Sequence, residues 1–248
     1  MKVSVITTLY NYRRYLDENM RSVLNQDFDG DIEHVIVDDH SEDRPKKTVR
    51  NYSSDRLTYI RLDRNYGYSY AKNIGIKAAK APVLVMLDAD DFLTKNSIRV
   101  RYEKLQDCDF VHGPALDLKS NKTMQRNRMW KRWKKCKDGL GCYRYVHAQG
   151  VMLRKEIHSK IGLYDPLLRS KSDREMFARI FNHGFKIGIV REDVVVYRRH
   201  SKQMHRSAEK IKQNDKLQRH VLRLIEQRKT DFNGLEMLEI NNDPQTVA

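Results

Sequence analysis

The run Val83-Leu84-Val85-Met86-Leu87-Asp88-Ala89-Asp90-Asp91 constrains this chain more than any other stretch. Five successive apolar residues have the length of a strand buried on both faces of a parallel sheet. They end abruptly in three carboxylates, with one alanine between the first two. Alternation along an extended chain aims Asp88 and Asp90 the same way, at the sheet edge where α/β proteins place their ligands. Two carboxylates there suit a hard divalent cation that also holds phosphate oxygens. The competing reading is a strand running into an acidic cap, Asp90 or Asp91 capping a helix that starts near Thr94.

Around this run, strand and helix patterns alternate with short loops. Extended patterns cover 2–9, 33–37, 57–62 and 83–87, and helical spacing covers 12–24, 69–79 and 94–105. An apolar run over 110–118 continues the alternation. The expected fold class is α/β, a doubly wound, mostly parallel sheet with helices on both faces. Beyond a basic stretch at 119–137 the order resumes with 150–153, 156–161, a helix over 173–182 and strands near 185–190 and 194–197. A basic amphipathic helix is expected over about 208–228, before a frayed end at 241–248.

A chain of 248 residues suffices for one large core with a small appendage. No apolar run approaches the ~20 residues that span a bilayer, and a signal-peptide layout is absent, so a soluble cytosolic protein is expected. Cys108, Cys136 and Cys142 are odd in number and lack CxxC spacing, which indicates neither a disulfide framework nor a zinc site.

Four segments, in order, resemble family 2 glycosyltransferases of the GT-A fold. They are Thr7-Thr8-Leu9-Tyr10-Asn11 with Ser22-Val23-Leu24-Asn25-Gln26; Val35-Ile36-Val37-Asp38-Asp39-His40-Ser41-Glu42-Asp43; Asn65-Tyr66-Gly67 with Ala71-Lys72-Asn73-Ile74-Gly75; and Leu87–Asp91, similar to the DxD motif. The likeness is close over 1–115 and loose over 146–201. It implies a GT-A domain over 1–201, with a nucleotide-sugar half (1–115) and an acceptor half (116–201) carrying the basic insertion 119–137. A basic helix and tail would occupy 202–248.

The resemblance also implies roles. Thr8, Tyr10, Asp39, Lys72, Asp88 and Ala89 would bind a nucleotide-sugar donor, most often UDP-linked, with Asp39 at the base and Asp88 near the ribose. Asp90 would hold Mn²⁺ or Mg²⁺ against the diphosphate, and His200, after Val195-Val196-Tyr197-Arg198-Arg199, would complete the metal shell with His205 in reserve. Asp173 in Ser172-Asp173-Arg174-Glu175 matches the catalytic base of an inverting transfer, although Ser172 stands where the family has Glu. Glu175 is the fallback base, and a helix N-cap is the plain alternative for Asp173. Gly67 and Gly75 read as turn or close-packing positions. His147 lies where family members approach the acceptor, without a role the sequence assigns.

The charge bears on the acceptor. Residues 1–100 hold 16 Lys+Arg against 15 Asp+Glu, and the rest hold 32 against 18, so nearly all of the net +15 lies in the second part. Residues 119–137 carry nine Lys/Arg and no acid. A polyanionic partner is the natural inference. Arg126, Arg128, Lys131, Arg132 and Lys134 would contact phosphates, while Trp130 and Trp133, sharing a helix face, would stack on bases or rest in a membrane interface. A second basic surface is expected from Arg198, Arg199, Lys202, Arg206, Lys210, Lys212, Lys216, Arg219 and Arg223. The favoured acceptor is hydroxymethylated DNA, as in hydroxymethylcytosine of phage DNA, with the enzyme then in the host cytoplasm. The alternatives are an anionic lipid or a lipid-linked or surface glycan, and a catalytically dead scaffold that only binds nucleic acid.

Overall fold

A computed structural model describes residues 1–201 apart from 53, 138, 139, 169 and 170, together with 203 and 223. The chain runs β1 (Val3–Leu9), α1 (Arg13–Leu24), β2 (Ile32–Asp38), α2 (Lys46–Val49), β3 (Leu57–Arg61), α3 (Tyr68–Ala78), β4 (Val83–Asp88), β5 (Phe92–Leu93) and α4 (Ser97–Leu105). It continues through β6 (Phe110–His112), β7 (Ala115–Leu118), β8 (Met124–Arg126), α5 (Arg128–Lys135), β9 (Val151–Arg154), α6 (Ile157–Ile161), α7 (Ser172–Asn182), β10 (Ile187–Ile189) and β11 (Val195–Arg198).

Seven strands form the main sheet in the order β10-β6-β9-β4-β1-β2-β3. Every pairing is parallel except those of β9, which runs antiparallel to β4 and β6. The five apolar residues of β4 are all 5% exposed or less. Leu84 and Met86 pack with Ile6, Val35, Ala71 and Ile76 on one face, while Val83, Val85 and Leu87 pack with Val3, Val5, Val23 and Ile98 on the other. Alternate side chains of one strand thus feed two cores, each burial contributing roughly 1.5–3 kcal/mol. Helix α3 approaches so closely that a Cβ on Gly75 would lie 2.3 Å from Cγ2 of Ile6, the close-packing role expected for this glycine.

Register fixes what meets at the sheet edge. Leu9 pairs with Asp38 and Thr8 pairs with Asp88, so β1, β2 and β4 release their chains at one carboxyl end. That edge, between β1 and β4 where the strand order reverses, is the crevice in which open α/β sheets bind ligands.

Four expectations need correction. The acidic run is not extended past Asp88: Asp91 N donates to Asp88 O (3.0 Å), so a turn gathers its carboxylates. Neither Asp90 nor Asp91 caps a helix, because β5 intervenes and α4 begins only at Ser97. The apolar run 110–118 splits at Gly113-Pro114 into β6 of the main sheet and β7 of a four-stranded second sheet, β5-β11-β7-β8. Cys136 and Cys142 are joined in a disulfide, and only Cys108 is free among the cysteines. The basic helix expected near 208–228, the frayed end and His205 lie outside the described residues, as do Lys202, Arg206, Lys210, Lys212, Lys216 and Arg219. Among the described residues no helix is long and apolar enough to cross a membrane.

Gly150 packs against backbone: a Cβ there would stand 2.7 Å from the carbonyl oxygen of Gly113. A carbonyl held in a strand connection cannot yield as a side-chain tip can. Gly150→Ala should therefore cost about 1–3 kcal/mol, seen in thermal unfolding as a loss of several degrees.

Candidate active site

The acidic turn is built from behind by side chains of α1 and β11. Asn19, fully buried on α1, donates its amide to the carbonyl oxygens of Asp88 (3.0 Å) and Asp91 (2.9 Å). Arg198 braces the same turn from β11, its backbone N–H on Oδ1 of Asp91 (2.9 Å) and its Nε on the carbonyl of Asp90 (3.0 Å). The turn brings one ligand atom each of Asp88, Asp90 and Asp91 within 4.8 Å of one another. His200 follows directly on β11's end and sets Nε2 2.9 Å from Oδ2 of Asp90. The two residues expected to hold a cation thus touch, with the rings of Tyr12 and Tyr15 at 5.4 and 5.0 Å from the imidazole.

This donor set fits a divalent cation. Carboxylates and an imidazole suit Mg²⁺ and Mn²⁺. Oδ2 of Asp91 is buried without a hydrogen-bond partner. Burial, then the neighbouring Asp90 and Asp88, raises the Asp91 carboxyl well above the usual range. Asp88 is pushed up to about 7, chiefly by burial, with Lys72 opposing and Asp90 and Asp173 adding to the rise. Crowded carboxylates of this kind favour a positive ligand among them.

The opposite wall comes from α3 and α7. Gly67, at φ 95°, turns the chain into α3, the turn role expected for it. Its N–H and that of Tyr66 both donate to the Asp39 carboxylate (2.8 and 2.7 Å), holding Asp39 at the edge beside Asp38. Asp38 itself is spent on structure, accepting from Tyr59 (2.5 Å) and Arg61 (2.6 Å). Tyr68 places its hydroxyl 2.9 Å from Oδ1 of Asp88 and 3.4 Å from Oδ2 of Asp173. Lys72, 1% exposed, pairs with Oδ1 of Asp173 and lies 4.1 Å from the Tyr68 ring centroid and 4.9 Å from that of Tyr164. Gln149 donates to Asp88 and, at 3.4 Å, to the Tyr68 hydroxyl.

Most residues named from the sequence meet here. Thr8 lies 3.5 Å from Oδ1 of Asp88, and the N–H of buried Ala89 donates to the Thr8 carbonyl (3.2 Å). Tyr10, 45% exposed, stands at the mouth. Asp173 lies in the first turn of α7 but does not cap it; Lys171 holds the N-cap position. Lys72 turns its ammonium to Asp173. Glu175 is no base in this geometry: fully buried, it is locked to Arg179. His147 packs against the Tyr197 ring at 5.0 Å, beside the site.

The basic segment is corrected in part. Arg128, Lys131, Arg132 and Lys134 of α5 are exposed, as a phosphate-binding face requires. Arg126 is exposed too but engaged by Asp193 (2.7 Å). Trp130 is buried at 6% exposure, and Trp133 turns to the core, 4.2 Å from the His112 ring. The helix uses its aromatic face for packing: Trp130 is covered and Trp133 is half-buried against the core. Arg198 and Arg199 are likewise taken, by Glu18 and by Asp117 (3.0 Å), and do not form an open second surface.

Asn19, Tyr68 and Gln149 were not legible as site residues. None of the three lies in a motif segment, and only folding brings Gln149 to a tyrosine 81 positions away.

Comparison with known proteins places this geometry in context. A family model described as "Glycosyl transferase family 2" matches residues 4–162. The uncharacterized glycosyltransferase alr2836 of Nostoc sp. is 30% identical over 226 residues, covering 84% of this chain and 68% of the relative. The teichoic acid poly(glycerol phosphate) polymerase of Staphylococcus epidermidis is 32% identical over 117 residues, 46% of this chain but only 16% of that protein. The crystal structure of S. aureus TarS 1–349 in complex with UDP-GlcNAc superposes with a TM-score of 0.72 at 20% identity, covering 91% of this chain and 65% of that one. At that identity the likeness is one of fold.

Proposed function

The chain belongs to glycosyl transferase family 2, and from that premise we propose that it moves a sugar from a nucleotide diphosphate sugar to a hydroxyl on a phosphate-rich surface glycan. The observation that carries this is the pairing of two carboxylate sites across one crevice: Asp88 and Asp90 at the end of β4, and Asp173 opposite, joined to Asp88 through Tyr68. Residues 1–115 form the donor half and 116–201 the acceptor half, with Asp39, Thr8 and Tyr10 toward the nucleotide. UDP is the favoured nucleotide, in line with the UDP-GlcNAc bound by the structural neighbour.

In the reaction the bond between the sugar carbon and the diphosphate oxygen breaks, its electron pair leaving with the diphosphate. The acceptor oxygen bonds to the same carbon from the opposite face, which inverts it, and its proton passes to the Asp173 carboxylate. A divalent cation held by Asp90 and His200 would neutralise the charge growing on the leaving diphosphate. Lys72 holds its ammonium against Asp173 and orients the carboxylate.

The acceptor is read from charge and kinship. A face of α5 carrying Arg128, Lys131, Arg132 and Lys134 attracts phosphodiesters. The staphylococcal relative is named for a poly(glycerol phosphate), a polymer with one phosphate in every repeat. Hydroxymethylated DNA would satisfy the same charges, but Trp130 is buried and Trp133 packs on His112, which leaves less aromatic surface for a flipped base.

Labelled UDP-sugars with Mn²⁺ should deliver label to poly(glycerol phosphate) or to a surface-glycan extract, and Asp90→Ala should abolish delivery. Label in hydroxymethylated DNA alone would replace the acceptor. An Asp90→Ala protein indistinguishable from the parent in every assay would leave a binding scaffold as the surviving reading.

A further inference from the structure

Asp88 ends a strand and Asp173 opens a helix, and each is an acceptor-only group when ionised. Two like charges on separate elements repel, so something must hold them at a working distance. Two groups approach both. Lys72 pairs with Asp173 from beneath, inside a box made by the rings of Tyr68 and Tyr164. Tyr68 alone touches both carboxylates with a single atom, its hydroxyl lying 2.9 Å from Asp88 and 3.4 Å from Asp173. These partners stand 20 and 105 residues away in sequence.

We infer that Tyr68 is a positioning residue that ties the donor-edge carboxylate Asp88 to the base Asp173 and fixes the separation between donor and acceptor chemistry. The inference rests on the transferase reading above. A phenol has one proton, and both carboxylates lie within reach of it, so it can be offered to either in turn. The shorter contact marks Asp88 as the resting acceptor of that proton, and Gln149 braces the same pair, donating to Asp88 and, at 3.4 Å, to the phenol oxygen. The ring has a second task, covering the Lys72 ammonium at 4.1 Å, and phenylalanine preserves it. Hydroxyl and ring are therefore separable by one substitution.

Tyr68→Phe tests this through release of UDP from a UDP-sugar, followed with and without a poly(glycerol phosphate) acceptor. Misplacing a reacting group by a fraction of an ångström lowers turnover, so kcat should fall about 10- to 100-fold. KM for the donor and Kd for UDP should stay within about twofold, because the hydroxyl lost is not a donor ligand. The double variant Tyr68→Phe/Asp173→Asn should be no slower than Asp173→Asn alone, since a residue acting through Asp173 has nothing left to act on. Equal kcat in Tyr68→Phe and parent overturns the role of Tyr68 and leaves the transferase intact. Multiplied losses in the double variant overturn it too, by showing that Tyr68 acts elsewhere. A parent protein that releases no UDP from any UDP-sugar overturns the transferase reading itself, and the inference with it.

Discussion

Asp173→Asn should lower sugar transfer by roughly 10²–10⁴-fold while the protein keeps its fold and its grip on the nucleotide. Asparagine has the same shape, and its Oδ1 can still accept from the Lys72 ammonium, which is 1% exposed. What asparagine cannot do is take the proton of the attacking hydroxyl. Asp173→Ala differs: it leaves the Lys72 ammonium between two rings without the oxygen that accepts from it. Removing one partner of a buried pair costs about 3–5 kcal/mol, and the 20% exposure of the Asp173 side chain places this case at the low end. Thermal unfolding should therefore fall by about 10 °C in the alanine variant and little in the asparagine variant. Transfer assays and melting curves on the two proteins separate chemistry from stability. An asparagine variant within a factor of about ten of the parent would move the base to another residue.

The sequence carried the site's frame because that frame depends on strands. Five apolar residues ending in Asp88 read as a buried strand for a simple reason: burial on both faces admits no polar alternation. The parallel register then brought Thr8, Asp38 and Asp88 to one edge, as the order of strand and helix patterns required. Direction around a helix was harder to read. The spacing of Trp130 and Trp133 correctly put both on one face of α5, but spacing cannot say whether that face meets solvent or core. Here the Cys136–Cys142 disulfide and the packing on His112 and Phe181 settle it inward. An odd number of cysteines hid a pair only six residues apart. Lys72 lay in a recognisable segment, yet its partner Asp173 comes from a helix that the topology alone brings near. Long-range pairs of this kind are decided by how the layers stack, which no local pattern encodes.

Glu175→Ala should be the most destabilising of the substitutions considered, while the chemistry of the folded enzyme persists. Glu175 is 0% exposed and grips Arg179 with both oxygens, each contact at 2.8 Å. Arg179 in turn donates to the carbonyls of Ile161 and Leu163, so the pair fastens the end of α6 and the segment after it onto α7. That segment carries Tyr164, one wall of the Lys72 box. Truncating Glu175 strands a guanidinium in the core with only carbonyls for company, at a cost of about 3–5 kcal/mol. For a chain of this size the melting temperature should drop by roughly 10 °C or more. Glu175→Gln, which still accepts one of the two bonds, should fall between alanine and the parent. Turnover of the fraction that remains folded should stay within a few-fold of the parent, because the carboxylate is held by Arg179 inside the core. The opposite pattern, a large loss of kcat in Glu175→Gln with an unchanged melting temperature, would make Glu175 the base and reduce Asp173 to the partner of Lys72.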